Sequence, residues 1–366
     1  MERRPQLDWL RVILVFAVFL HHGLMPFNGD DWHIMNTESS KLLDDIMVFF
    51  EQLRLPSLFL IAGAGSTLLL AKKSPLNFTK DKFLRLALPL FVGILFIVPP
   101  QTYIENKPDY ESFFSAFPLL MLEFKTNHLW FIEYLVVFSL LVIPMHSILN
   151  SRYGNRLNAL LERYTSKPNA LFSLVLVLIA IRVPLNNIFH GDGQSLGNPA
   201  SVIYYWFFFV AGMIFIQSSV SWNNIRLHRA TNAKWFSLSS LAFYLYYFSP
   251  DLSPYLSEFV RWSIWWLMCC LVAWSGLLTI FGFAQEYLTK RPDWLKMSNQ
   301  LIYPFYIFHQ TIIVVFGAYI IDTELSLAAK AITLIIASFC LTTGICVLFI
   351  RPFAPLRFLF GLKTGA

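Results

Sequence analysis

Asp8-Trp9-Leu10-Arg11, the apolar run 12–20 and then His21-His22 form the stretch that decides how the rest of the chain is read. The run is apolar enough to sit in a bilayer, yet an arginine stands near its start and two histidines at its end. Ionisable side chains inside a membrane are costly, so each one is a functional candidate. Arg11 and His22 are eleven positions apart, close to three turns of ~3.6 residues, and therefore share one helix face. At ~1.5 Å per residue they stand roughly 16 Å apart along the axis, about half of a ~30 Å hydrocarbon core. His21 points about a quarter-turn away. One face thus carries a fixed cation near one side of the membrane and a titratable imidazole deeper in.

Composition extends that reading to the whole chain. Of 366 residues 56% are apolar and only 14% charged, against about 25% charged in soluble domains. The expectation is an all-α polytopic membrane protein, one integral-membrane domain over 1–366 with no segment left over for a soluble core. The formal charge of +6 invites a nucleic-acid partner, but the placement of the charges argues for a lipid bilayer instead. Cys269, Cys270, Cys340 and Cys346 lie in apolar segments without metal-ligand or disulfide spacing, so no metal is expected. Arg3 and Arg4 before an apolar run resemble a signal peptide, but no small-residue cleavage site follows, so this reads as a retained first helix.

About ten spans of 17–25 residues emerge, near 9–27, 44–70, 84–102, 126–149, 169–187, 200–219, 233–250, 261–284, 300–320 and 328–350. Loop charges test them. With the N-terminus inside, the inner segments hold twenty Lys and Arg, from Arg3 to Lys363, and the outer loops only Lys41, Lys107, Lys125 and Lys330. That asymmetry fits an even number of spans with both termini cytoplasmic. The first two outer loops are acidic and long enough to cover an outward-facing site.

Inside the spans remain Arg11, His22, Glu51, Arg54, Glu133, Arg182 and His309. Mixed signs at the middle and outer half suggest a polar cavity in which pairing offsets desolvation. Each has a plainer role: Arg11 snorkelling to headgroups, Glu51–Arg54 a structural ion pair, Arg182 and Arg261 span-end anchors, His309 a helix-packing hydrogen-bonder. His21, His33, His128 and His190 lie near the outer interface, and each alone reads as structural. Taken together the set suits acyl transfer. A neutral His22 can take a proton from a hydroxyl attacking a thioester, help worth ~10²–10⁴ in rate. Glu133 or Glu51 can orient that ring, and Arg54 can stabilise the developing oxyanion. Arg11 at the cytoplasmic mouth suits the phosphate or pantetheine part of a donor. Direct attack and a transient acyl-histidine both stay open. No Gly-x-Ser-x-Gly elbow, phosphate-binding loop or HExxH motif is present.

These residues resemble the integral-membrane acyltransferase 3 family, whose first-helix signature is Arg or Lys, ten residues, then His; here Arg11 and His22. The match continues through Phe50-Glu51-Gln52-Leu53-Arg54-Leu55-Pro56, Arg85-Leu86-Ala87-Leu88-Pro89, His128-Leu129-Trp130-Phe131 and Tyr303-Pro304-Phe305-Tyr306-Ile307-Phe308-His309-Gln310. Trp32-His33-Ile34 and Phe316-Gly317-Ala318-Tyr319-Ile320 resemble the subgroup of glucan biosynthesis protein C, which succinylates periplasmic glucans. The resemblance implies an O-acyltransferase in the cell inner (plasma) membrane. Its donor would be cytoplasmic acyl-CoA, a co-substrate and not a resident cofactor, and its acceptor a hydroxyl of a periplasmic or cell-surface polysaccharide. It implies His22, His309 and Arg54 at the chemistry and Arg11 and Arg85 at the donor; Glu133 joins the catalytic candidates on its depth alone, not on the resemblance. Succinyl and acetyl both remain open as the acyl group, and a homo-oligomer is allowed. The competing class, a secondary transporter with midplane charges, predicts an internal repeat that the sequence lacks.

Overall fold

The computed structural model describes residues 4–189 and 193–362, so Arg3, His190 and Lys363 lie outside the described residues. It is all-helical. In chain order the helices are α1 (Pro5–Leu24), α2 (Lys41–Leu70), α3 (Pro75–Glu105), α4 (Phe113–Leu122), α5 (Trp130–Leu149), α6 (Arg152–Thr165) and α7 (Ala170–Ile188). There follow α8 (Pro199–Gln217), α9 (Ser219–Leu227), α10 (Arg229–Tyr247), α11 (Glu258–Tyr287), α12 (Asp293–Ile320), α13 (Leu327–Ile350) and α14 (Ala354–Leu359). Side-chain oxygens start several of them: Ser257 accepts from Val260 N–H at α11 and Ser326 from Ala329 N–H at α13. These satisfy donors that a helix cannot pair internally.

Among the described residues nine segments are long and apolar enough to cross a membrane, where the sequence led us to expect about ten. The difference is the seventh expected span. α10 has the length, nineteen residues, but Asn232, Lys234 and three serines dilute its apolar character. It still runs antiparallel along α11: Arg229 in its first turn lies 3.6 Å from Glu286, and Tyr246 near its end donates to the Arg261 carbonyl at 2.7 Å.

The chain divides into two compact units, each assembled from three stretches of sequence. Unit 1 comprises the residues up to Arg11, Glu51–Phe78 and Val137–Arg291. Its helices α2 and α8 meet through reciprocal glycines. A Cβ on Gly63 would stand 1.9 Å from the Phe209 carbonyl oxygen, and one on Gly212 would stand 2.0 Å from that of Leu60. Small residues let helix backbones approach this closely where lipid removes the hydrophobic drive to associate. Trp274, 1% exposed, anchors the same unit by donating its indole N–H to the Leu171 carbonyl at 2.8 Å.

Unit 2 comprises Val12–Phe50, Thr79–Val136 and the residues from Pro292 on. In it α3 is interrupted by π-type turns at Phe83–Ala87 and Gly93–Ile97. Pro99 and Pro100 have no N–H to give, and Gln101 N–H turns to the Val98 carbonyl. The Ile97 carbonyl is thereby released and accepts from the Thr311 hydroxyl of α12 at 2.6 Å. Proline in a membrane helix is tolerated where a neighbour satisfies the freed group in this way.

Candidate active site

Unit 2 gathers three histidines from three places in the chain. His22 comes from the last turns of α1. His309 comes from the middle of α12. His128 comes from the short turn before α5, which Asn127 enters with a left-handed φ of 41°, a conformation asparagine tolerates. The imidazoles of His22 and His309 lie nearly parallel, 7° apart in plane, with His22 Nδ1 2.9 Å from His309 Nε2. His128 stands edge-on to His309 at 5.3 Å between ring centres. His309 and His128 are buried, and His22 is half-buried.

Backbone carbonyls fix which nitrogens carry protons. His309 Nδ1 lies 2.6 Å from the Tyr306 carbonyl, which only accepts, so Nδ1 carries the hydrogen. In neutral His309, Nε2 is then the acceptor, and His22 Nδ1–H donates to it. That leaves Nε2 as the acceptor nitrogen of the His22 ring. A ring whose second nitrogen is fixed by a hydrogen bond is set in both tautomer and orientation.

A second arm has the same directional logic. His128 Nε2–H donates to the Ile307 carbonyl at 3.0 Å, so its Nδ1 accepts from the Gln101 amide at 3.3 Å. The Gln101 oxygen accepts from Gln310 at 3.1 Å, and Gln310 also donates to His33 Nε2 at 3.0 Å. His33 Nδ1–H then donates to Glu105 at 2.9 Å. Tyr306 closes the set by donating its hydroxyl to the His128 carbonyl. Gln101, His128, His309 and Gln310 are all at most 4% exposed, and every one is hydrogen-bonded. Buried polar groups require such satisfaction.

The turn between α1 and α2 is laid over the pair. Trp32 lies 24° from the His22 plane with 6.3 Å between ring centres, and His33 follows it into the second arm. Buried Lys330 ties the turn down, donating to Asn36 at 3.0 Å and to the Ile321 carbonyl at 2.7 Å.

The sequence candidates thus fall into place unevenly. His22 and His309 are in direct contact. Glu133 is half-buried on α5 and makes no hydrogen bond or ion pair among the described residues; the ring partner of His22 is His309. Arg85 pairs within its own helix with Asp81 at 3.0 Å. Arg54 and Arg11 belong to unit 1. Arg54 is buried, 6% exposed, within electrostatic reach of Glu51 and Tyr205. Arg11 lies 3.5 Å from Asp8, which also stands 3.3 Å from Arg291, and its guanidinium reaches toward Gly65. Gln101, Glu105, Gln310 and Thr311 were not singled out from sequence as site residues. Of these only Gln310, beside His309, stood in a quoted motif. Among the described residues no cluster of His, Cys, Asp or Glu could hold a metal ion.

Residues 4–351 match the family model described as an acyltransferase domain, acyltransferase 3. Glucans biosynthesis protein C of Escherichia coli (strain K12 / DH10B) and that of Shigella dysenteriae serotype 1 (strain Sd197) are each 25% identical to the chain over 186 residues. The match covers 48% of this chain and 44% of the relative's length, less than half of either. No solved structure matches the chain.

Proposed function

The chain belongs to the acyltransferase 3 family of membrane acyltransferases, and on that premise we propose that His22 Nε2 is the base, or transient acyl carrier, of an O-acyl transfer. In the direct route the acceptor O–H gives its proton to Nε2 as its oxygen bonds to the thioester carbonyl carbon. The C–S bond breaks, and the thiolate of the donor leaves and takes up the proton. In the covalent route the same nitrogen attacks the thioester carbonyl and the C–S bond breaks to release the thiolate; the acceptor oxygen then bonds to the acyl carbon as the N–C bond breaks, and its proton leaves with the thiolate. His309 serves either route as a positioning residue: it holds the His22 tautomer and shares the charge that His22 gains. The observation that supports this reading best is the one-way run of hydrogen bonds from the Tyr306 carbonyl through His309 to His22.

The donor in this proposal is acyl-CoA, arriving from the cytoplasm with both termini on that side. Arg11 is the residue proposed to meet its phosphates, for which a guanidinium is a good bidentate partner. The acceptor is a hydroxyl of a periplasmic or surface glycan, and the printed name of the distant relatives is the reason to begin with glucans. The test uses purified protein in lipid nanodiscs with labelled succinyl-CoA or acetyl-CoA and a glucan acceptor. Wild type is expected to transfer label to the glucan while His22→Ala, folded and inserted, is inert. Equal transfer by both proteins would overturn the role of His22.

A further inference from the structure

Unit 1 has a cleft of about 580 Å³ where α10 turns into α11, well within the 300–1,000 Å³ usual for ligand sites. Trp262, Trp265 and Tyr247 supply aromatic faces, and Asp251, Glu258 and Arg261 supply charge. Its parts are held in place from within. The Trp262 indole N–H donates to Glu258 at 3.3 Å, and Tyr246 braces the Arg261 backbone at 2.7 Å. Asp251 takes both polar hydrogens of Ser253, the backbone N–H at 2.9 Å and the hydroxyl at 2.6 Å.

Two features point to an occupant. Arg261 Nε is buried with no hydrogen-bond partner among the described residues, and Arg261 makes no ion pair with Asp251 or Glu258, although all three line one cleft. The buried Arg261 Nε is an open donor, and the exposed Asp251 and Glu258 carboxylates set acceptors at the rim of the same cleft. Trp262 stacks on Trp266 at 6.0 Å between ring centres and is still 45% exposed.

The chemistry discriminates between ligands. A purely apolar ligand would bury three charged groups unpaired. An anion would meet two carboxylates for one guanidinium, and a cation would meet the guanidinium. A neutral polyol with one flat C–H face suits all six side chains: ring on indole, hydroxyls donating to carboxylates and accepting from Arg261. We infer that this cleft docks a pyranose unit of a neutral oligosaccharide. This site lies outside the histidine chemistry and gives the protein a hold on a glycan through residues that do no acyl transfer. With the N-terminus cytoplasmic and α10 crossing as the seventh span, both as proposed, the α10–α11 turn faces the compartment of that glycan. The inference rests on the glycan-acceptor reading for its purpose, but binding is measurable without transfer.

The experiment titrates nanodisc-embedded protein, without acyl-CoA, with laminarihexaose and maltohexaose, reading tryptophan fluorescence and saturation-transfer NMR. Wild type and His22→Ala are expected to bind alike. Trp262→Ala should weaken binding by about tenfold or more, as for an aromatic anchor in a pocket. Exposed Asp251→Asn, which leaves the helices untouched, should weaken it about fivefold. If neither oligosaccharide binds wild type, or if Asp251→Asn and Trp262→Ala bind as tightly as wild type, the inference falls. Sugar binding that depends on the cleft in a protein that transfers no acyl group would sink the catalytic proposal and leave this one standing.

Discussion

Two interior sites, one in each unit, hold polarity in opposite ways. Around His309 in unit 2, neutral amides, imidazoles and a hydroxyl join in hydrogen-bonded runs whose direction backbone carbonyls set. At Arg182 in unit 1 a cation is held against aromatic faces instead. Arg182 lies 3.5 Å from the centre of the Tyr204 ring and 4.7 Å from that of Trp266, and its Nε has no hydrogen-bond partner among the described residues. The difference teaches what each interior can do. A directional run holds a proton at a defined atom, whereas an arginine cannot give its proton up and a cation over a ring can only hold charge. Proton transfer is therefore expected in unit 2 and charge or sugar recognition in unit 1.

The largest effect that would break this contrast is at His22. His22→Ala should lower acyl transfer by about 10²–10⁴ while the protein still inserts and folds, because the side chain is only half-buried. Loss of folding instead of rate, seen by thermal unfolding in detergent, would make the run of imidazoles structural. His309→Phe sharpens the point. It keeps a flat ring beside Phe305, which stacks on His309 at 1°, but removes the acceptor for His22 Nδ1–H. About 10–100-fold is expected, the usual cost of losing a group that orients a functional imidazole. The loss should appear in kcat with KM nearly unchanged, and His21→Ala should cost less than either.

Unit 1 should fail differently. Gly63→Ala places a Cβ 1.9 Å from a backbone oxygen that has no side chain to swing aside. We expect about 1–3 kcal/mol of lost stability, typical of overpacking, with transfer per folded molecule unchanged. A variant as stable as wild type would show that α2 and α8 separate freely.

Much of this was legible in sequence, for a definite reason. A bilayer forces backbone polarity into helices, so long apolar runs announce themselves, and nine of about ten expected spans have helices that meet the criteria. α10 is the exception because its serines and Lys234 mask a helix whose support comes from α11. The pairing of His22 with His309 could not be read from sequence: 287 positions separate them, and periodicity relates only residues within one helix. Gln101 and Thr311 were invisible for a different reason. Neutral amides and hydroxyls carry no charge to betray them, and the Thr311 bond depends on the Gln101 N–H turning away from the Ile97 carbonyl.

The smallest predicted effect concerns the carboxylate that sequence reasoning favoured for orienting the imidazole. Glu133 has the right depth by helix arithmetic, but depth along an axis says nothing about direction around it. On α5 it bonds to neither histidine, and a ring that already donates Nδ1–H to His309 has no second hydrogen on that nitrogen to offer a carboxylate. Glu133→Gln keeps shape and removes charge, so transfer should stay within about twofold of wild type, as for substitutions remote from any strained or paired group. A loss approaching that of His309→Phe would show that Glu133 acts on the substrate itself. The contrast would then need revision, since the histidine site would be holding charge as well as directing protons.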